Sequence, residues 1–285
     1  MISNQTKLQR DLFSDADALQ RPFLKWAGGK FRVLNEILPR LPVGDRLVEP
    51  FAGTAAVTLN APFAKALVAD TNADLIGLYN AIKTDPLRFI DEGQSLFAPT
   101  CNSREAFNAL RDEFNSSDDA FRRAVIFVYL NRHAFNGLCR YNSKGKFNVP
   151  FGKYKAPNFP LEAIQSFGKA SNHIEFRQQD FIVTLKEARQ GDVIYCDPPY
   201  VPLSDTSNFT SYAPGAFGPA DQEELSRLAK ETANRGIPVV ISNHDTAESR
   251  KLYEGAELHQ FEVRRFISSK VSTRGNAPEL LAIFR

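Results

Sequence analysis

The segment Val193-Ile194-Tyr195-Cys196-Asp197-Pro198-Pro199-Tyr200 decides the fold class. Its first four residues read as a short buried strand, and the two prolines end it, because proline fixes φ and has no N–H for a ladder. Asp197 to Tyr200 therefore stand at the carboxyl end of a strand, where open α/β sheets bind their ligands. At average residue frequencies this tetrapeptide arises by chance in roughly one chain in a thousand of this length.

A turn of this kind presents acceptors. The Asp197 carboxylate and the Pro198 carbonyl can both face one ligand, and two acceptors suit one NH2 group. The exocyclic amine of a nucleobase is a poor nucleophile because its lone pair is delocalised into the ring. Hydrogen bonds from both of its N–H groups favour a pyramidal nitrogen with the lone pair turned outward, so positioning and electrostatics make attack on a sulfonium methyl feasible. Tyr200 adds a face on which a base taken out of a duplex can stack.

Outward from that turn, Asp45 to Glu49 reads as a second short strand, followed by a turn with Pro50 and Gly53 and then a helix through Leu59. A further strand, Ala66 to Ala69, ends at Asp70, near the offset at which nucleotide-binding βαβ units place a ribose-binding acid. The loop Glu49-Pro50-Phe51-Ala52-Gly53-Thr54-Ala55 lacks the full G-x-G-x-x-G pattern. A dinucleotide pyrophosphate fits it poorly, whereas a nucleoside cofactor without phosphates, such as S-adenosylmethionine, fits.

From about Asp74 to Phe151 the periodicity turns helical, with Phe107, Leu110 and Phe114 on one face and Phe121, Ala124, Val125 and Val128 on another. This inserted stretch closes with Leu138 to Tyr141, a polar turn Asn142 to Lys146 and Phe147 to Val149, which predicts a β-hairpin. Alternation then resumes, with a helix from about Ala220 to Arg235 stopped by Gly236, a strand Ile237 to Ser242, and strands near Leu258 to Val263 and Leu280 to Phe284. Short connections between the last strands predict an antiparallel edge on a mainly parallel sheet.

Charge is unevenly spread although the net value is only +2. Between Ala120 and Lys155 there is no Asp or Glu, while Arg122, Arg123, Arg132, Arg140, Lys144, Lys146, Lys153 and Lys155 are basic. Phe135, Tyr141, Phe147, Phe151 and Tyr154 and the amides Asn131, Asn136, Asn142 and Asn148 are interleaved with them. These residue types make phosphate contacts, base-edge hydrogen bonds and stacks. A second acid-free run, Val263 to Asn276, adds Arg264, Arg265, Lys270 and Arg274.

The composition removes other classes. Three cysteines, at 101, 139 and 196, are too few and too scattered for a disulfide framework or a paired zinc site, and the four histidines show no metal-ligand spacing. No metal is expected. The first twenty residues carry charges throughout and lack an apolar core, so they read as a tail rather than a secretion signal, and the expected compartment is the cytoplasm.

Four segments in this order, Phe23-Leu24-Lys25-Trp26-Ala27-Gly28-Gly29-Lys30, Glu49-Pro50-Phe51-Ala52-Gly53, Asn131 to Tyr154, and Asp197-Pro198-Pro199-Tyr200, resemble the Dam family of DNA adenine-N6 methyltransferases, from about Arg21 to the C-terminus. The resemblance implies a Rossmann-like S-adenosylmethionine-dependent sheet with an inserted helical and β-hairpin DNA-recognition subdomain, and methylation of adenine N6, flipped out of GATC in double-stranded DNA. It implies a tail at 1–20, a catalytic domain at 21–73 and 162–285, and a target-recognition domain at 74–161. Trp26, Lys30, Phe51, Gly53, Asp70, Asp180, Phe181 and Asp197 are expected at the cofactor, and Asp197, Pro198 and Tyr200 at the flipped adenine. In the hairpin region Arg140 would read a guanine, Pro150 a thymine methyl, and Lys25 with Tyr154 the outer guanine. Asn136 would meet a phosphate, and Phe135 and Leu138 would prop the space that the flipped base leaves. Relatives often carry Tyr where Phe135 stands, which removes a hydroxyl but keeps the stacking face, and Ala55 replaces a second loop glycine.

Overall fold

In the computed structural model, strand β1 (Arg46–Glu49) runs parallel to β2 (Lys65–Asp70) and to β4 (Asp192–Cys196). The structure describes residues 19–201, 217–264 and 276–285, apart from the side chains of residues 264 and 276. With β3 (Ile174–Gln178), β5 (Val239–His244), β6 (Glu257–Arg264) and β7 (Asn276–Phe284), the strand order is β3-β2-β1-β4-β5-β7-β6. β4 and β5 are parallel, and β7 is antiparallel to both β5 and β6, as the short final connections predicted. The protein is an α/β fold.

The chain divides into two units, 1–32 with 53–61 and 70–178, and 33–52 with 62–69 and 179–285. In the second unit, β1, β4, β5 and β7 present Val48, Ile194, Ile241, Leu280 and Ala282 to α6 (Phe181–Lys186) and α7 (Pro219–Asn234), which cover them with Leu185, Leu225, Leu228 and Ala229. The strands start together because Arg46 makes paired hydrogen bonds of 2.8 and 2.7 Å to the buried carboxylate of Asp192, its register partner in β4. A bidentate pair of this kind fixes geometry as well as charge.

The first unit is helical: α1 (Ala73–Thr84), α2 (Pro86–Ser95), α3 (Arg104–Ser116), α4 (Ala120–His133) and α5 (Leu161–Ala170). Asn72, Ser103 and Asp119 cap α1, α3 and α4 by accepting from the first free backbone N–H groups, which accounts for where those helices begin. Helix α4 is the unit's axis, with every residue from Ala124 to Asn131 buried. It ends at His133, whose ring stacks on Tyr129 at 3.9 Å and donates from Nδ1 to the Tyr129 carbonyl at 2.9 Å.

The expected helix at 54–59 is instead a series of turns. Gly53 and Ala55 both adopt positive φ, of 44° and 53°, and a right-handed helix cannot start through such residues. The predicted hairpin survives as a minimal one. Tyr141 and Phe147 form an isolated antiparallel bridge, and the Asn142 N–H donates to the Lys146 carbonyl at 2.9 Å. Among the described residues no helix is long and apolar enough to cross a membrane, and no cluster of three or more His, Cys, Asp or Glu could hold a metal ion.

Burial lowers the pKa of His133 to about 4, with the charge on Lys25 adding to the effect. The imidazole is thus neutral in the fold, and its contribution to stability is complete above about pH 6.5 and lost as pH falls towards 4. In urea unfolding, the stability advantage of the wild type over His133→Phe is expected to shrink between pH 7 and pH 4 by on the order of 3 kcal/mol. An advantage that stays constant across that interval would contradict the assignment.

Candidate active site

In the second unit the turn after β4 is built from acceptors and is surrounded by donors. β4 pairs with β5 as far as Cys196↔Ile241, whereas β5 continues with β7 to His244↔Glu279. Ser242, Asn243 and His244 therefore extend beyond the last β4 pair, beside the chain that leaves the sheet at Asp197. The Ser242 hydroxyl donates to Asp197 Oδ1 at 2.9 Å and accepts from the Tyr195 hydroxyl at 3.2 Å. Asn243 Oδ1 accepts from the Val201 N–H at 2.9 Å, and His244 Nδ1 donates to the Val201 carbonyl at 2.6 Å. From α7, Gln222 Nε2 donates to the Pro199 carbonyl at 2.6 Å.

Tyr200 is oriented from two sides. Its hydroxyl donates to Glu279 Oε2 at 3.0 Å, and its ring meets that of His244 edge to face, with centroids 4.7 Å apart. Burial, then the charges of Asp197 and Glu279, push the Tyr200 phenol far above its ordinary pKa, so it stays protonated and serves as a donor. Burial also raises Tyr195, with the fields of Asp197, Glu49 and Glu279 acting in the same sense. Glu49 and Glu279 are themselves buried. The turn is thus rich in acceptors and lies among buried carboxylates, a chemistry that suits a sulfonium cation and an amine with two N–H groups and suits a phosphate poorly.

Other residues expected at the cofactor in this unit have plain structural positions. Phe51 stacks on Phe181 at 5.5 Å, and Phe217 packs against both rings at 5.5 Å. Asp180 caps α6, its Oδ1 accepting from the Ile182 N–H at 2.7 Å. Phe181 lies in the core, 5% exposed.

The first unit holds Trp26, Lys30, Gly53 and Asp70. Gly53 lies against the Trp26 indole, so that a Cβ there would come within 3.6 Å of Cδ1, and its carbonyl accepts from the Tyr79 hydroxyl at 2.5 Å. Gly28 also has positive φ, and its carbonyl accepts from the buried Lys30 ammonium at 2.7 Å. This leaves a backbone cradle with an aromatic wall, as a nucleoside requires. Asp70 closes β2, and its Oδ1 accepts from the Asn72 N–H at 2.9 Å.

The same unit gathers the residues expected at DNA. The Lys25 ammonium lies 4.5 Å from the Tyr154 ring centre, and Asn131 ties the Lys25 backbone by accepting from its N–H at 2.9 Å and donating to its carbonyl at 2.7 Å. Burial and the neighbouring Arg132 lower the pKa of Lys25. Phe135 and Leu138 are exposed at 50% and 41%, and Asn136 between them is held at φ 54°. Pro150 is exposed, and its carbonyl accepts from the Phe135 N–H at 2.8 Å. Arg140 reaches across the hairpin, Nε donating to Asn148 Oδ1 at 2.8 Å.

Sequence reading missed what anchors these residues. Asp74 accepts from Tyr141 at 2.7 Å on one oxygen and from Arg123 at 2.6 Å on the other, which ties the hairpin to α1 and α4. Cys139 joins this cluster through hydrogen bonds with Tyr141 and Asn72, and burial with the nearby carboxylates pushes its thiol up to about 12. Ser242, Asn243, Gln222 and Glu279 were also missed. The sequence signal for Ser242 and Asn243 is the polar Ser-Asn-His at the end of the strand read at Ile237 to Ser242, and Gln222 and Glu279 carry none.

Residues 26–267 match the model of the D12 class N6 adenine-specific DNA methyltransferases. The chain is 46% identical over 265 residues to DNA adenine methylases of Salmonella typhi and Escherichia coli K12, covering 93% of this chain and 95% of each relative. It is 48% identical over 266 residues to the DNA adenine methylase of Vibrio cholerae O395, covering 93% of this chain and 96% of that one.

Tyr141→Phe removes one donor from Asp74 and leaves the ring packing in place. It is expected to cost about 1–2 kcal/mol in urea unfolding and to speed amide exchange across residues 138–149 at least tenfold, read by mass spectrometry. Unchanged exchange there would show that the hydrogen bond to Asp74 does not hold the hairpin.

Proposed function

The chain belongs to the D12 class of N6 adenine-specific DNA methyltransferases, and from that premise we propose that it methylates adenine N6 within GATC in double-stranded DNA, on a base turned out of the helix. The observation that carries the reading is the Asp197-Pro198-Pro199-Tyr200 turn, held at the end of β4 among buried carboxylates.

S-adenosylmethionine, when bound, supplies an electrophilic sulfonium methyl. The residues proposed to hold it are Trp26, Lys30, Phe51, Gly53, Asp70, Asp180, Phe181 and Asp197. The glycine cradle against Trp26 and the carboxylates near Tyr195 support the choice. Asp197 and the Pro198 carbonyl accept the two N–H bonds of the adenine amine and direct its lone pair outward. The Asp197 carboxylate then lies in contact with the nitrogen that must shed a proton. Ser242 fixes one carboxylate oxygen and so limits the rotation of the group. Tyr200, with its hydroxyl tied to Glu279, offers its ring to the extrahelical base.

We assign target reading to residues 74–161, flanked by a tail at 1–20 and by catalytic segments at 21–73 and 162–285. Arg140 forms the paired hydrogen bonds that guanine accepts, after exchanging its contact with Asn148. Pro150 meets a thymine methyl, Lys25 and Tyr154 read the outer guanine, Asn136 contacts a phosphate, and Phe135 and Leu138 occupy the space left in the stack. The second basic run, 263–276, lies mostly outside the described residues. Duplex DNA is the partner, and the cytoplasm is the compartment this reading implies.

Plasmid DNA incubated with the protein and S-adenosylmethionine is expected to resist a nuclease that cuts GATC only when its adenine is unmethylated, and Asp197→Ala is expected to abolish that resistance. Labelled methyl appearing only in RNA or protein would contradict the reading. Arg140→Ala is expected to relax discrimination at one guanine by about 1–3 kcal/mol, measured as the ratio of kcat/KM for cognate and single-base-changed duplexes. An unaltered ratio would remove Arg140 from the reading of the site.

A further inference from the structure

Three buried polar side chains from separate elements meet behind the proline turn: Gln222 on α7, Asn243 on β5, and Tyr253 just after the helix at Ala247–Leu252. They are 5%, 0% and 0% exposed, and Tyr253 is counted with the apolar core. Polar groups in such a place destabilise a fold unless every donor and acceptor is matched.

Here they are matched throughout. The Asn243 amide donates to the Tyr253 hydroxyl at 2.8 Å and to Gln222 Oε1 at 3.3 Å, and its oxygen accepts from the N–H groups of Val201 at 2.9 Å and His244 at 2.8 Å. The Tyr253 hydroxyl donates to Gln222 Oε1 at 3.4 Å. The remaining Gln222 group, Nε2, donates to the Pro199 carbonyl. Besides the His244 N–H, the network reaches the Pro199 carbonyl and the Val201 N–H, the backbone groups immediately before and after Tyr200.

We propose that Gln222 and Asn243 are positioning residues for methyl transfer, acting as a two-point clamp on the backbone at either side of Tyr200. The proposal deepens the function proposed above and rests on it. Clamping both flanks fixes the direction in which the Tyr200 ring faces a stacked base. Because proline restricts φ at 198 and 199, fixing the Pro199 carbonyl also limits the orientation of the Pro198 carbonyl one residue earlier. Neither side chain needs to touch the substrate, and a small error in the turn would appear mainly in the rate of the chemical step.

The test compares the full-length wild type with Gln222→Glu and Asn243→Asp, which keep volume and shape. Gln222→Glu replaces the donor to the Pro199 carbonyl by an oxygen. Asn243→Asp keeps the acceptor for Val201 and removes the donors to Tyr253 and Gln222. Gln222→Met provides an uncharged third variant. All are assayed at a temperature where circular dichroism shows each to be folded, with labelled S-adenosylmethionine and a GATC duplex. The readouts are steady-state kcat and KM and the fluorescence of 2-aminopurine at the target position. The expected result is a fall in kcat of at least tenfold, KM for duplex and donor within about threefold of the wild type, and altered 2-aminopurine emission because the stack on Tyr200 has changed. Wild-type kcat in the folded variants, or an effect confined to KM with unchanged emission, would overturn the proposal. Wild-type protein that transfers no methyl to DNA would instead overturn the function on which it rests.

Discussion

Two consecutive prolines after β4 create a stretch of backbone that can accept hydrogen bonds but, at those two positions, cannot donate them. That imbalance governs the second unit. An acceptor-rich turn is useful to a substrate amine, but inside a fold it must be held by donors brought from elsewhere. β5 outruns β4 and supplies Ser242 and His244, α7 supplies Gln222, and Asn243 secures the first N–H after the turn. The surrounding carboxylates make the region hospitable to a cation and to N–H groups, and burial, with those carboxylates adding to it, keeps the neighbouring phenols protonated.

In the first unit the organising group is a carboxylate. Asp74 sits in the first turn of α1 and receives Arg123 from α4 and Tyr141 from the hairpin. A short hairpin with one bridge pair has little intrinsic stability, so its shape depends on such tertiary ties. The basic, exposed tip is thus mounted on a half-buried, neutralised root. Arginine count alone is a poor guide here, because Arg122 and Arg123 of the acid-free run are paired with Glu113 and Asp74. Arg140 contacts the amide of Asn148 and can exchange that contact for a base edge.

The alternation of strands and helices, the antiparallel edge and the position of Asp197 at a strand end were all legible in the chain, because each rests on local periodicity or on proline and glycine. The turns at 54–59 were not, since Ala55 takes a positive φ that its side chain does not advertise. The hairpin's reversal was visible in Asn142 to Lys146, whereas its reduction to a single bridge was not. Asp197 and Tyr200 could be singled out as chemistry-bearing residues. The residues that hold them lie 23 to 79 positions away along the chain, and no spacing rule connects Gln222 to Pro199 or Glu279 to Tyr200. Such partners become visible only when the sheet brings them together.

The most direct test of the account is a crystal structure of the protein with a non-reactive analogue of S-adenosylmethionine and a duplex containing GATC. The account predicts an adenine outside the helix, its N6 within hydrogen-bonding distance of both the Asp197 carboxylate and the Pro198 carbonyl, and its ring on Tyr200. An adenine still stacked in the duplex, or an extrahelical base whose amine meets neither acceptor, would contradict it.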